Sequence, residues 1–441
     1  MHDDDVPAPD AEAAVVRKAF ARLIPFLVLL YVVAYLDRVN LGFAKLHLKD
    51  LPWFTDSVFT TGAGLFFVGY FFFEVPSNLI LEKVGARRWI ARIMITWGIV
   101  SMIMALMKGV ASFYFLRVLL GVAEAGFFPG VLLYLTYWFT QKERARAVAL
   151  FMTANAIALS LGNPLSGWIL DSTKGMGGLA GWQWLFILEG IPAVLLAGVV
   201  LWYLPDGPKK ATWLTEEEKA LLQLRLDRER AALPVGASHP DMGALAQAAR
   251  QPGVWLLCGV FFLLVGGMYG ITMWLPTLVK QIAGGDDTRT GLLTAIPYVF
   301  AGVIMVLNGI HSDKTRERRL HIAIPAAIGA LGMALSAAPG MPIWGAMVCL
   351  SVAASGMWSI LGPFWSIPPL YLRGAGVAAG LALINSVGNL AGFAGPKLID
   401  QIKGSSDNFL PSLLGLSSCV LLGGLLALAI PKSIFTKDSH R

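Results

Sequence analysis

Apolar residues fall into long runs between Leu23 and Ile430, separated by short polar or basic stretches. A helix needs about 20 apolar residues to cross a hydrocarbon layer roughly 30 Å thick. Twelve runs of that kind predict twelve spans. The first six lie near 22–44, 57–81, 89–108, 112–139, 145–170 and 183–204, and the second six near 253–279, 290–311, 321–338, 342–370, 375–398 and 409–430. Between the two sets, Pro205 to Gln251 is the single long polar stretch. Thr215-Glu-Glu-Glu218 inside it has the form of a capping box, and Leu221, Leu222, Leu224 and Leu226 follow as the apolar side of a surface helix. The predicted organisation is a tail at 1–21, a six-helix half at 22–204, a linker at 205–252, a second six-helix half at 253–430 and a tail at 431–441.

Composition agrees. Of 441 residues, 56% are hydrophobic and only 14% charged, where a soluble chain runs near 25% charged. That much apolar surface needs lipid as its solvent. Cys258, Cys349 and Cys419 sit in apolar runs without paired spacing and read as small core residues. The opening segment is acidic, and Arg17, Lys18 and Arg22 lead into an apolar run with no cleavage-type site after it, so the first span is expected to be retained. Lysine and arginine then orient the chain. With both termini inside, twenty-five basic residues lie on the inner side and eight on the outer, while Arg38 and Arg117 fall within spans. The net charge of +7 follows this topology and carries no nucleic-acid signal. The expected location is the cell inner membrane, with both ends cytoplasmic.

An internal repeat links the halves. Glu82-Lys83-Val-Gly-Ala-Arg87-Arg88 follows span 2, and Asp313-Lys314-Thr-Arg-Glu-Arg318-Arg319 follows span 8, with the same spacing 231 positions later. Asn155 and Asn385, each followed by glycines, a proline and an aspartate, pair spans 5 and 11 in the same way. Parallel six-span repeats are a mark of transporters in which two halves rock around a midplane site. These paired loops resemble the major facilitator superfamily, as does Arg117-Val-Leu-Leu-Gly121-Val-Ala-Glu124-Ala-Gly126 in span 4. Within it, Tyr35-Leu-Asp37-Arg38-Val-Asn40, Phe73-Glu74-Val-Pro76-Ser-Asn78, Glu189-Gly-Ile-Pro192 and Ile384-Asn385-Ser-Val-Gly388-Asn389 resemble the anion:cation symporter branch, which includes tartrate, hexonate and aromatic-acid permeases. The resemblance implies an all-α integral membrane fold of 12 transmembrane helices in two halves with pseudo-two-fold symmetry. It also implies transport of a small organic carboxylate.

Ionisable groups inside spans cost at least ~2.5–3.5 kcal/mol near the bilayer centre, so each is a functional candidate. The first half has Asp37, Arg38, Glu74, Arg117, Glu124 and Glu189; the second has none away from its span ends. Arg117 and Glu124 are seven apart and share a helix face, so four charges of balanced sign are expected to meet between spans 1 and 4. A purely structural reading makes them two buried ion bridges. The functional reading makes Asp37 and Glu124 proton carriers and an arginine the anion ligand, because protonating both carboxylates leaves two positive charges to attract a carboxylate. The resemblance implies the same proton sites, with Arg38 and Arg117 as charge partners. Arg38 lies beside Asp37 in sequence, which favours Arg117 as the available ligand. Glu74 and Glu189 are expected to satisfy backbone groups freed by Pro76 and Pro192. The resemblance implies that Tyr70, Asn155, Trp365 and Asn385 line the central cavity, with packing as the plainer alternative. Tyr269 and Trp274 read as gate or packing residues. Glu82, Lys83, Arg87, Arg88, Asp313, Lys314, Arg318 and Arg319 are expected to form a cytoplasmic gate.

The leading expectation is therefore proton-coupled uptake of a small organic anion such as tartrate, a sugar acid or an aromatic acid. Sodium is the alternative coupling ion. A drug:proton antiporter of the same superfamily is the rival function. No nucleophile–base set, metal-ligand spacing or phosphate loop points to an enzyme, a metal or a cofactor. A monomer in the lipid bilayer is expected.

Overall fold

The computed structural model describes residues 9–232, 242–371, 375–404, 408–432 and 434. Every regular element among them is helical. The first set comprises α1 (Pro9–Leu48), α2 (Asp56–Val84), α3 (Ala86–Ile103), α4 (Val110–Glu124), α5 (Phe127–Thr136), α6 (Gln141–Met152), α7 (Ala154–Ser172) and α8 (Gly181–Tyr203). The connecting stretch holds α9 (Glu216–Ala232) and α10 (Met242–Ala249). The second set comprises α11 (Pro252–Ala283), α12 (Asp287–Thr315), α13 (Leu320–Leu335), α14 (Ile343–Ser359), α15 (Leu361–Trp365), α16 (Pro368–Tyr371), α17 (Ala375–Asn389), α18 (Ala391–Lys403) and α19 (Leu410–Leu428).

Ten stretches among the described residues are long and apolar enough to cross a bilayer. α13, also apolar but shorter, and the α17–α18 pair supply the other two of the twelve predicted passes. Many large apolar side chains, such as Phe72, Leu195 and Trp344, lie exposed on the outside of the bundle, as lipid contact requires. The outline of the spans matches the apolar pattern, but four predicted spans are interrupted. Span 4 breaks at Gly126, whose φ of 89° is left-handed, just before Pro129. Span 5 breaks at Thr153, where the Thr153 hydroxyl donates to the Leu150 carbonyl and the Asn155 amide to that of Met152, competing with the helix ladder. Spans 10 and 11 break at Ile360 and Leu390.

Close helix approach depends on glycine. A β-carbon at Gly121 of α4 would lie 2.0 Å from the Phe66 carbonyl oxygen of α2, so no larger residue fits that crossing. The surface helix predicted after Thr215 is α9. Its capping box is closed by Thr215 N–H donating to Glu218 (2.9 Å) and Glu218 N–H to the Thr215 hydroxyl (3.2 Å). α9 docks on the first set through Arg225 to Glu143 (2.5 Å) and Glu12 (3.2 Å), and Trp213 stacks on Trp138.

Among the described residues, α1 packs on α11, α2 on α18 and α7 on α12 across the two sets, and α2 also touches α17. Call the side on which α1 ends at Leu48 the distal side, and the side carrying α9 the proximal side. Polar contacts across the sets gather at the distal side. His47 meets Asp287 (2.6 Å), which Lys280 also holds (2.7 Å); Lys403 meets Asp56 (3.1 Å); Thr60 meets Asp400 (3.1 Å). The Asp171 carboxylate accepts from both the backbone N–H and the hydroxyl of Thr288, each at 2.6 Å.

Candidate substrate and coupling site

Between the two sets lies a cavity with about 70 Å³ of free space. α1 contributes Tyr31, Tyr35 and Arg38 to its wall, at i, i+4 and i+7 and hence on one face. Tyr70 comes from α2, and Phe128, Met152 and Asn155 from beside the breaks after α4 and α6. The second set supplies Phe261 and Tyr269 from α11, Trp365 from α15, and Asn385 and Asn389 from α17. The wall is mostly aromatic and amide, with one formal charge facing in, that of Arg38.

Arg38 is 6% exposed, and its Nε donates to the Glu124 carboxylate at 2.5 Å. Its guanidinium lies 5.1 Å from the Tyr70 ring centre, while Nη2 is buried without a hydrogen-bond partner. The second Glu124 oxygen and the Asn155 Oδ1 are likewise buried and unpartnered. Arg38 and Asn155 line the cavity, and orphaned polar atoms there mark places where a ligand or water completes the hydrogen bonding.

Asp37 does not face this cavity. One residue along a helix turns the side chain by about 100°, so Asp37 points to α3. There it accepts from Ser101 Oγ (2.6 Å), Trp97 Nε1 (2.8 Å) and, along its own helix, Asn40 Nδ2 (3.3 Å). Arg117 is also off the cavity wall. Its Nε donates to the Gly62 carbonyl (3.1 Å), its guanidinium lies 5.0 Å from the Phe66 ring centre, and both Nη atoms are buried without partners. The expected order of the two arginines therefore reverses. Arg38 is held by Glu124 rather than by Asp37 and reaches the cavity, whereas Arg117 is walled off behind α2.

Two other expectations change for a single reason. A proline inside a helix frees a carbonyl, which needs a donor, but both glutamates are engaged with side chains of other helices. Glu189 instead accepts from Ser166 of α7 (2.7 Å), and Glu74 accepts from Asn385 Nδ2 (2.7 Å) and Ser386 Oγ (2.9 Å) of α17. Donor duty falls to an amide that the sequence reading passed over. Asn308 Nδ2 of α12 donates to the Ser359 carbonyl (2.9 Å) and the His321 carbonyl (3.0 Å), the groups freed by Pro363 and Pro325.

A family model described as Major Facilitator Superfamily matches residues 27–396. The chain belongs to the Major Facilitator Superfamily. A protein of Agrobacterium vitis named "Putative tartrate transporter" is 45% identical over all of this chain and 97% of its own. A "Quinolone resistance transporter" of Acinetobacter baumannii is 42% identical over 95% of each chain. A solved structure of the xylose transporter XylE from Escherichia coli, titled as a partially occluded inward open conformation, shares the fold. Its TM-score is 0.74 at 15% identity, over 93% of this chain and 98% of that one. The protein is thus a multi-pass membrane transporter for small organic solutes and not an enzyme.

In this major facilitator chain, the two basic loops bind within their own sets. Arg87 donates to the Leu201 carbonyl (3.3 Å) and lies 3.8 Å from Asp206. Arg318 pairs with Asp313 (2.6 Å), and Arg319 Nη1 donates to the Leu428 and Ile430 carbonyls (both 3.2 Å). Lys83, Arg88 and Lys314 are exposed, and the Glu82 side chain lies outside the described set. Tyr31 and Tyr35 were missed as wall residues, although their spacing to Arg38 carries the signal. Tyr269 lines the cavity, while Trp274 sits in the distal cluster, 3.1 Å from Lys45 Nζ to its ring centre.

Proposed function

We propose that the protein takes up a small organic carboxylate anion together with protons, by alternating access between two halves at 22–204 and 253–430. The observation that carries this reading is the buried Arg38–Glu124 pair at the cavity wall. With Glu124 ionised, Arg38 is neutralised and has little attraction left for an anion. A proton on Glu124 removes that competitor and leaves a guanidinium free to bind a carboxylate with two parallel hydrogen bonds. Proton and anion then favour each other's binding, as linkage requires. Asp37 serves as a second proton site one layer behind, with Arg117 as the fixed positive charge of that layer. Tyr70, Asn155, Trp365 and Asn385 enclose the carbon skeleton and its oxygens.

Protons suit the site better than sodium. Asp37 is surrounded by N–H and O–H donors and Glu124 by a guanidinium, whereas a hard cation needs several oxygen ligands. The excess of Lys and Arg in the proximal loops supports cytoplasmic termini in an inner membrane. The distal contacts would then close the outer side, and a monomer contains the complete site. The two basic loops brace the cytoplasmic ends of their own halves.

The test is uptake of labelled carboxylates into proteoliposomes under an imposed pH gradient. Accumulation that collapses with a protonophore, and that Glu124→Gln abolishes while counterflow survives, is the expected result. Accumulation indifferent to the protonophore would refute proton coupling. The identity to the quinolone resistance transporter supports a second reading, proton-driven export of a lipophilic compound. Silence toward every acid, with gradient-driven movement of a quinolone, would select it.

A further inference from the structure

Glu74 and Glu189 are the membrane carboxylates to which the reading above gives no task, and of the two Glu74 bonds across the halves. It is 2% exposed on α2, one turn beyond Tyr70 and on the same face, and so on the proximal flank of the cavity. Both of its oxygens are engaged, and both donors come from the opposite half: Asn385 Nδ2 at 2.7 Å and Ser386 Oγ at 2.9 Å. Asn385 also lines the cavity. An amide and a hydroxyl on adjacent residues are thus already arranged to grip a carboxylate, and they grip one belonging to the protein itself. Arg38, on α1 in the first half, offers a second carboxylate-binding group to the same space.

We propose that Glu74 occupies, in the empty transporter, the subsite that the second carboxylate of a two-headed organic acid takes in the loaded one. The inference rests on the anion reading above and narrows its substrate class to dicarboxylates. One carboxylate binds Arg38 once Glu124 lets go, and the other displaces Glu74 from Asn385 and Ser386. Displacement also breaks a link between α2 and α17 on the proximal side of the cavity, so filling the site and freeing the halves to move become one event. A monocarboxylate satisfies Arg38 but leaves Glu74 in place. It therefore binds without releasing the link.

The experiment compares C4–C6 dicarboxylates with their monoamides in binding to the purified full-length protein, by titration calorimetry. It uses the wild type, Glu74→Gln, Glu74→Ala and Asn385→Ala. The wild type should prefer diacid to monoamide by roughly tenfold, the scale of one charge-assisted contact. Asn385→Ala should erase that preference, diacid affinity falling roughly tenfold further than monoamide affinity. Glu74→Gln, which keeps the side-chain size, and Glu74→Ala should each bind the diacid more tightly, because the internal competitor has lost its charge. Equal wild-type binding of diacid and monoamide overturns the two-headed subsite. So does a preference that survives Asn385→Ala, or diacid affinity that Glu74→Gln leaves unchanged or weakens. Absence of binding by either acid to the wild type overturns the anion reading itself. That result is visible before any variant is compared.

Discussion

Arg38 and Arg117 carry the same charge in the same half and differ only in what surrounds them. Arg38 meets a carboxylate and an open space; Arg117 meets a carbonyl and an aromatic ring. Their conservative variants should therefore separate. Arg38→Lys, which loses the planar fork, is expected to weaken anion binding at least about tenfold. Arg117→Lys should stay within about twofold in affinity, any cost appearing as thermal stability instead. Calorimetric titration of both variants checks this, and equal losses would put Arg117 back at the ligand. Asp37→Asn should abolish gradient-driven accumulation while downhill exchange persists, as measured in proteoliposomes, because it removes a proton site without touching the cavity wall. At this scale the sequence picked out six charged residues of the first half, all of which the structure buries. It did not reveal which of two adjacent side chains turns inward, since that depends on where α2, α3 and α4 lie around α1.

The broken helices share a location. The interruptions near Gly126, Thr153, Ile360 and Leu390 each lie within five residues of cavity-wall groups: Phe128, Met152 and Asn155, Leu361 and Trp365, and Asn389. Irregular backbone at membrane depth is tolerated where it borders a polar cavity rather than lipid, so the breaks and the site explain each other. The glycines and prolines behind three of these breaks are plain in the sequence, but an apolar-run reading counts length and passes over them. Asn308 is the counterpart on a continuous helix. Asn308→Leu would leave the Ser359 and His321 carbonyls without their donor, at about 1–3 kcal/mol each. A clearly lowered melting temperature in detergent is expected, with substrate affinity in the surviving folded fraction unchanged. Unaltered melting would mean that the two carbonyls find other partners. Gly121→Ala should cost stability too, because the β-carbon meets the Phe66 carbonyl, and backbone cannot step aside as a side chain can.

At the scale of the whole molecule, the distal cluster ties the two sets together on one side. Asp287 joins His47 of α1 to Lys280 of α11, so a single carboxylate ties both halves. Asp287→Asn weakens both links, but only the one to His47 crosses between the halves, and a part-buried pair of this kind is worth up to about 1 kcal/mol. The population open on the distal side should rise by up to about fivefold. Spin labels at Lys174 and Arg289 would report it as a second, longer distance, and an unchanged distribution would assign the closure to apolar packing between α7 and α12. The sequence by itself determined the membrane setting, the twelve passes, the repeat and the cluster of charges in the first half. Those properties follow from local apolar run length, basic loops and the cost of burying charge, which a linear chain displays. Only the tertiary structure decided that Arg38 rather than Arg117 meets the cavity, that Glu74 bonds across the halves to Asn385, and that the proximal basic loops bind within their own sets. Those outcomes depend on helix rotation and on which helices become neighbours. Neither is a property of any one segment, because each is settled by how all the segments pack at once.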